Sequence, residues 1–190
     1  MGLPAPVPRR RLHTRRIACV GYRRDDGLWD IEAHIVDTKT YAYDEPMRGA
    51  VAAGSPVHDM SLRLTVDDDK IVRDIEVSTD AAPYGPCFEV APNFKGLIGS
   101  KVGAGWRRAI HEYLGGVKSC THLRELLLPV GTVVFQTLGG WRRVDGAEAA
   151  TPAKSGSDKP HQLDGCMAWA SDGDVVAKLL PEYFQGHPAS

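Results

Sequence analysis

Residues 60–77 have the sequence pattern of a β-hairpin. They read Met-Ser-Leu-Arg-Leu-Thr-Val-Asp-Asp-Asp-Lys-Ile-Val-Arg-Asp-Ile-Glu-Val. Apolar side chains alternate with polar ones from Met60 to Val66, and residues 71–77 return after an acidic turn. Alternation with a period of two gives a strand one apolar face and one polar face. This stretch therefore predicts two antiparallel strands that cover a hydrophobic core on one side.

A second predicted hairpin lies nearer the N-terminus. Residues 15–22 and 28–36 form its strands, and Asp26-Gly27 between them tolerates the positive φ of a tight turn. The second strand alternates apolar side chains with polar ones: Trp29, Ile31, Ala33 and Ile35 against Asp30, Glu32 and His34. Residues 37–57 and 79–105 carry turn signals, so we expect both to be loop-like, with a short helix near residues 88–98.

Two consecutive helices are expected to pack on this sheet. The first spans Trp106–Leu114, the second begins at Ser119 or Thr121 and runs to about Leu138, and each is followed by a Gly-Gly pair that favours helix termination. Pro129 lies inside the second helix and predicts a kink. The whole pattern predicts an α+β fold, in which an antiparallel sheet built from hairpins supports two consecutive helices.

Four segments are expected along the 190 residues. Residues 1–14 form an N-terminal arm, 15–144 the main α+β domain, 145–162 a flexible linker, and 163–190 a C-terminal segment that packs back on the main domain. Within the last segment we expect a short hairpin, or a strand followed by a helix.

The net charge of −1 gives the chain no general attraction for nucleic acid or an anionic membrane. No stretch approaches the roughly 18 apolar residues that span a bilayer, and the N-terminus lacks the apolar region of a secretory signal. We therefore expect a cytoplasmic protein that binds neither nucleic acid nor membrane, with its four cysteines as free thiols or ligands. Homo-oligomerisation is left open.

The candidate site centres on Ser119-Cys120-Thr121-His122, at the start of the second helix. Unpaired N–H groups at a helix start favour a thiolate, and His122 could act as a base or a second ligand. In the alternative interpretation, Cys120 is a small buried residue and Ser119 or Thr121 simply caps the helix.

Hairpin formation would bring further residues to this helix. His58-Asp59 precedes the 60–77 hairpin and could be a base with its orienting carboxylate, while Cys87 follows the hairpin on a proline-flanked loop. A turn-stabilising role for Asp59 and a structural role for Cys87 are the alternatives. His58, Cys87, Cys120 and His122 together make a ligand set that suits tetrahedral zinc or iron.

The whole chain resembles the bacterial family catalogued as domain of unknown function 2889. The resemblance rests on seven stretches in order: residues 10–17, 26–32, 57–68, 83–87 (Pro-Tyr-Gly-Pro-Cys), 105–108 (Gly-Trp-Arg-Arg), 120–126 (Cys-Thr-His-Leu-Arg-Glu-Leu) and 164–166. It implies no assigned activity.

Residues 58–138 are also similar to the iron–sulfur scaffold fold of the NifU and IscU type. The similarity implies that His58 lies near that family's aspartate ligand, and that Cys87 and Cys120 match its mid-chain and helix-opening cysteines. Pro56 stands near the place of the family's first ligand cysteine.

Two functions follow. The preferred one is a small-molecule catabolic enzyme, a lyase or hydrolase acting on an oxygenated aromatic or acyl substrate. His122 or His58 would be its general acid or base, Asp59 would orient His58, and Cys120 would be its nucleophile or ligand. The alternative is a metal- or iron–sulfur-binding scaffold, or a sulfur-trafficking protein, without turnover.

Overall fold

The α+β fold is confirmed in a computed structural model of the chain, which describes residues 2–144, 160 and 162–186. Four long strands form one antiparallel sheet in the order β1-β2-β5-β6: β1 His13–Arg23, β2 Trp29–Lys39, β5 Pro56–Val66 and β6 Val72–Ala81. The two predicted hairpins are therefore present, and they join along β2 and β5.

Residues 37–57 are more ordered than the sequence predicted. β2 continues to Lys39, and β3 Tyr43–Glu45 pairs with β4 Gly49–Val51 as a small separate hairpin. The prediction of a loop throughout this segment was wrong, because the core-facing alternation of β2 continues as far as Asp37. The β3–β4 hairpin thus lies between the central strands β2 and β5 in sequence.

Helices cover one face of the sheet. After the short helix α1 Ala91–Phe94 come α2 Trp106–Leu114 and α3 Thr121–Val144. The apolar stripe of α3 is fully buried against the core-facing side chains of β2 and β5, as the pattern predicted; its members are Leu123, Leu126, Leu127, Val130, Val134 and Leu138. Burial of each such side chain contributes about 1.5–3 kcal/mol to folding before entropy is counted.

The second helix is longer than the sequence predicted. It continues past Gly139 and Gly140 to Val144, because neither glycine adopts the positive φ of a left-handed helix cap. Pro129 lies inside α3, and nearby Gly131 has no side chain, which allows the Trp106 indole to approach the helix. There Trp106 Nε1 donates a hydrogen bond of 2.9 Å to the carbonyl of Leu127.

The chain divides into two compact units, residues 1–142 and 143–190. The second unit contains α4 Asp174–Leu179 between two single-turn 3-10 helices, with Leu163 and Val176 buried. The predicted helix is present, but no strand occurs in the part of this unit that the structure describes. The predicted linker at 145–162 lies almost entirely outside the described residues. Among the helices that are described, none has both the length and the apolar character to cross a membrane.

Candidate functional site

A carboxylate occupies a core position in the sheet. Asp37 continues the row of buried side chains that runs along β2 through Ala33 and Ile35, and only 2% of it is exposed. A buried charge costs several kcal/mol unless close partners compensate it. The surroundings of Asp37 must therefore supply that compensation.

The partners of Asp37 come from the strands on either side. In the register of the sheet, Arg15 of β1 and His58 of β5 are its direct neighbours, so the three residues form one row across the sheet. Arg15 binds the carboxylate with two hydrogen bonds, Nε to Oδ1 at 2.9 Å and a terminal nitrogen to Oδ2 at 2.8 Å. His58 Nδ1 lies 3.0 Å from Oδ2, and His13 Nε2 lies 3.1 Å from Oδ1.

These contacts keep the carboxyl group ionised. Burial by itself raises the pKa of Asp37, but the hydrogen bonds and charge of Arg15, with a smaller contribution from His58, lower that pKa to about 2. Because an ionised carboxylate only accepts hydrogen bonds, His58 must carry its proton on Nδ1. Its second nitrogen, Nε2, is then left as an acceptor.

A second histidine stacks on the first. The rings of His58 and His122, which lies in the first turn of α3, are 3.7 Å apart between centroids and inclined by 31°. Burial lowers the pKa of His58, and repulsion from His122 lowers it further, although Asp37 opposes the change. Burial and the nearby charge of Arg15 likewise lower the pKa of His122. Both rings are thus kept neutral around pH 7.

Two cysteines flank the histidine pair. Cys120 directly precedes α3, is 8% exposed, and has its Sγ 3.8 Å from both His122 Nδ1 and Met60 Sδ. Burial raises the pKa of Cys87, and interaction with Cys120 raises it further, so the two thiols are neighbours. Ser119 does not cap the helix, since its hydroxyl donates to the Leu114 carbonyl at 2.6 Å.

Of the residues named from the sequence, the structure brings together His58, Cys120 and His122, with Cys87 beside Cys120. It places Asp59 on the opposite face of the sheet, where Asp59 Oδ1 lies 2.6 Å from His34 Nε2. The reason is the alternation of β5, which turns neighbouring side chains to opposite faces. Asp37 therefore occupies the place beside His58 that the sequence assigned to Asp59.

Sequence reasoning missed Asp37 and Arg15. The sequence pattern could have indicated that Asp37 is buried, because it stands two positions after Ile35 in the apolar alternation of β2. Arg15 carries no such signal, because it opens the predicted strand 15–22 beside Arg16 and nothing in the local pattern distinguishes it from an ordinary surface charge. Its role depends on the strand register, which places it across from Asp37.

Three of these side chains could hold a metal ion. One ligand atom each from Asp37, His58 and His122 lies within 4.8 Å of the others, and no other such group of three occurs among the described residues. The predicted set of two cysteines and two histidines is therefore not drawn together as closely. Both oxygens of Asp37 already accept hydrogen bonds, so direct coordination would have to displace Arg15 or a histidine.

The profile of the family described as "Protein of unknown function (DUF2889)" matches residues 13–136, so the chain belongs to that family. This match covers every residue of the site described above, from His13 to His122. No curated protein and no solved structure matches the chain. The similarity to the NifU and IscU fold therefore stays a prediction.

Proposed function

We propose that this member of the DUF2889 family is a small-molecule enzyme, a lyase or hydrolase, in which His58 is the general base. One observation carries the proposal: a buried carboxylate, Asp37, holds the Nδ1–H of a neutral histidine at 3.0 Å. A carboxylate in this position orients the imidazole, fixes its tautomer and stabilises the imidazolium that forms when the ring accepts a proton.

The electrostatics suit a base that works near neutral pH. The lowered pKa of His58 keeps Nε2 unprotonated in the resting protein, and Asp37 compensates the positive charge that appears during reaction. Arg15 balances Asp37 before the reaction, and it also binds Glu125 at 3.0 Å. The carboxylates of Asp37 and Glu125 can then compensate two positive charges, that of Arg15 and that of the His58 imidazolium formed during the reaction.

His122 is suited to the complementary proton transfer. Its ring lies against His58, so protonation of one ring disfavours protonation of the other. In a lyase reaction, His58 would remove a proton from a substrate hydroxyl or an acidic C–H group, and the bond to the leaving group would break. The proton would return through either histidine to the group that receives the electron pair.

A lyase fits the geometry better than a hydrolase with a cysteine nucleophile. Cys120 is buried, and its sulfur contacts Met60 and His122 rather than an open surface. A nucleophile has to reach the substrate, whereas acid–base elimination needs only the two histidines. We favour an oxygenated aromatic or acyl substrate of a catabolic reaction, because such compounds offer hydroxyl protons and carbonyl-activated bonds.

The test is a turnover screen with hydroxylated aromatic and acyl compounds, read by chromatography and mass spectrometry. Replacing His58 by Gln should reduce turnover by about 10²–10⁴-fold, the usual contribution of a general base. Cys120→Ser should retain most of the activity, and the matched control His34→Gln, on the opposite sheet face, should retain all of it. Equal turnover by the wild type and His58→Gln would contradict the proposal.

A metal-binding protein without turnover is the second candidate. The mutual distances of Asp37, His58 and His122 favour it, since neutral histidines and a carboxylate are ligands for zinc or iron. The neighbouring thiols of Cys87 and Cys120 would suit the iron–sulfur form of this hypothesis. Metal analysis of the purified protein distinguishes it: stoichiometric zinc or iron, lost in both His58→Ala and His122→Ala, would replace the acid–base proposal.

A further inference from the structure

A cavity of about 470 Å³ lies at the end of the sheet that carries His58. Its walls come from the turn between β3 and β4, the end of β6 and the single 3-10 turn Gly85–Phe88. The volume falls within the range of about 300–1,000 Å³ that is usual for small-molecule sites. A ligand with one aromatic ring and a few substituents would fill it.

Three large apolar side chains line this cavity and are exposed there. Met47 is 73% exposed, Tyr84 54% and Phe88 51%. Exposed apolar side chains that are scattered singly need no explanation, but a group around one concave surface indicates a binding site. Tyr84 and Phe88 provide two aromatic rings at the two ends of one short helical turn, which suits stacking on another ring.

The cavity also contains a cation without a carboxylate partner. The two terminal nitrogens of Arg48 donate to the backbone carbonyls of Val57 and Pro56, each at 3.2 Å. No ion pair joins Arg48 to an acidic side chain among the described residues. Asp80 also lines the cavity, and it accepts a hydrogen bond of 3.0 Å from Ser78. The remaining donors of the guanidinium can bind an anion.

At two places, residues at the cavity are adjacent along the chain to residues of the site that contains the histidine pair. Val57, whose carbonyl Arg48 binds, directly precedes His58 in β5. Phe88, in the cavity wall, directly follows Cys87, whose thiol neighbours Cys120. A ligand that occupies the cavity would therefore lie against the segments that carry the proposed base.

We propose that the cavity binds a small aromatic carboxylate, with its ring against Tyr84 and Phe88 and its carboxylate on Arg48. The inference goes beyond the proposed function, because it assigns a binding site beside the segment that carries His58 and does not require His58 to act on the bound molecule. The apolar wall selects the ring, and the uncompensated guanidinium selects the negative charge.

The test is a binding titration of the full chain with benzoate and 4-hydroxybenzoate at up to millimolar concentration, followed by backbone NMR. Shifts should appear at Arg48, Tyr84 and Phe88. The neutral analogue 4-hydroxybenzamide should bind at least about tenfold more weakly than 4-hydroxybenzoate, since it loses a charge-assisted hydrogen bond. Cyclohexanecarboxylate should also bind more weakly than benzoate, since it cannot stack.

Variants identify the residue that recognises the charge. Arg48→Met should weaken binding of 4-hydroxybenzoate by about tenfold or more while leaving the benzamide unaffected. Arg107→Met, a surface arginine on α2, is the matched control and should bind like the wild type. Shifts elsewhere, no shift with either acid, or equal binding by Arg48→Met would overturn the inference.

The outcome is independent of the catalytic proposal. His58→Gln should bind both acids as the wild type does, because its side chain is not part of the cavity wall. Binding that survives in His58→Gln, together with a loss of turnover, supports both proposals. Absence of binding overturns the cavity assignment alone, and turnover that does not depend on His58 overturns the base alone.

Discussion

The ionised state of Asp37 should make the stability of this protein depend on pH in a specific way. The pKa of Asp37 is lowered from the ordinary 3.8 to about 2 in the folded protein. Each pKa unit corresponds to about 1.36 kcal/mol, so the shift of about 1.8 units is worth about 2.4 kcal/mol. The unfolded chain binds the proton more readily than the folded chain, and acid therefore favours unfolding.

Because the pKa of Asp37 is lowered on folding, its contribution to stability depends on pH in the acid range. The contribution of about 2.4 kcal/mol is fully present above the unfolded pKa of Asp37 and is lost as the pH falls through the folded value. Asp37→Asn removes the charge but keeps the size and shape of the side chain. At pH 7 this variant should be less stable than the wild type by about 2 kcal/mol, and by pH 2 most of that difference should have gone.

The measurement is urea denaturation followed by circular dichroism at several pH values between 2 and 7. Asp25→Asn, in the exposed turn between β1 and β2, is the matched control and should stay within about 0.5 kcal/mol of the wild type throughout. A stability difference between the wild type and Asp37→Asn that does not change with pH would refute the reasoning. It would mean that Asp37 acts through packing rather than through its charge.

Two further predictions concern the histidines and the helix contact. In an NMR titration, His58 and His122 should both lose their proton below the usual histidine pKa of 6.5. Any turnover should rise with pH through the same range. Titration of both histidines above pH 6.5 would contradict the argument that burial lowers their pKa. Gly131→Ala should destabilise the protein by about 1–3 kcal/mol, because the new Cβ would lie 3.0 Å from the Trp106 indole. Gly140→Ala, in the same helix with open space around it, should instead be neutral or stabilising by up to about 1 kcal/mol, and calorimetric unfolding of both variants compares them.

Elements with strong local patterns were predictable from the sequence. The hairpin at 60–77 and the helix Trp106–Leu114 follow from alternation and from helical spacing, both of which are local properties. The end of α3 was not predictable in the same way. A Gly-Gly pair permits termination without requiring it, and here the helix continues to Val144.

Part of the candidate site was also predictable from the sequence. Cys120 and His122 were recognisable because they lie together at a helix start, and His58 because the 60–77 hairpin begins two residues after it. The association of Cys87 with Cys120 followed from hairpin closure. These inferences needed only the order of elements along the chain.

The identity of the carboxylate was decided by tertiary structure. Asp59 adjoins His58 in sequence, yet strand alternation directs it to His34 on the other face. Asp37 is 21 residues away in sequence and becomes the partner of His58 because β2 and β5 pair in one particular register. A shift of one residue in that register would turn Asp37 to the opposite face relative to its partners.

The sequence by itself thus determined the fold class, the two long hairpins, the helix α2 and the start of α3. It also indicated four of the residues that meet at the site, namely His58, Cys87, Cys120 and His122. Only the tertiary structure decided that Arg15, Asp37 and His58 form one row across three strands. The physical reason is that periodicity depends on a single segment, whereas a row across a sheet depends on the register between segments, which is set by burial of the whole apolar face. Cys120 and His122 mark where the site is, and the β1-β2-β5 register determines which charges surround it.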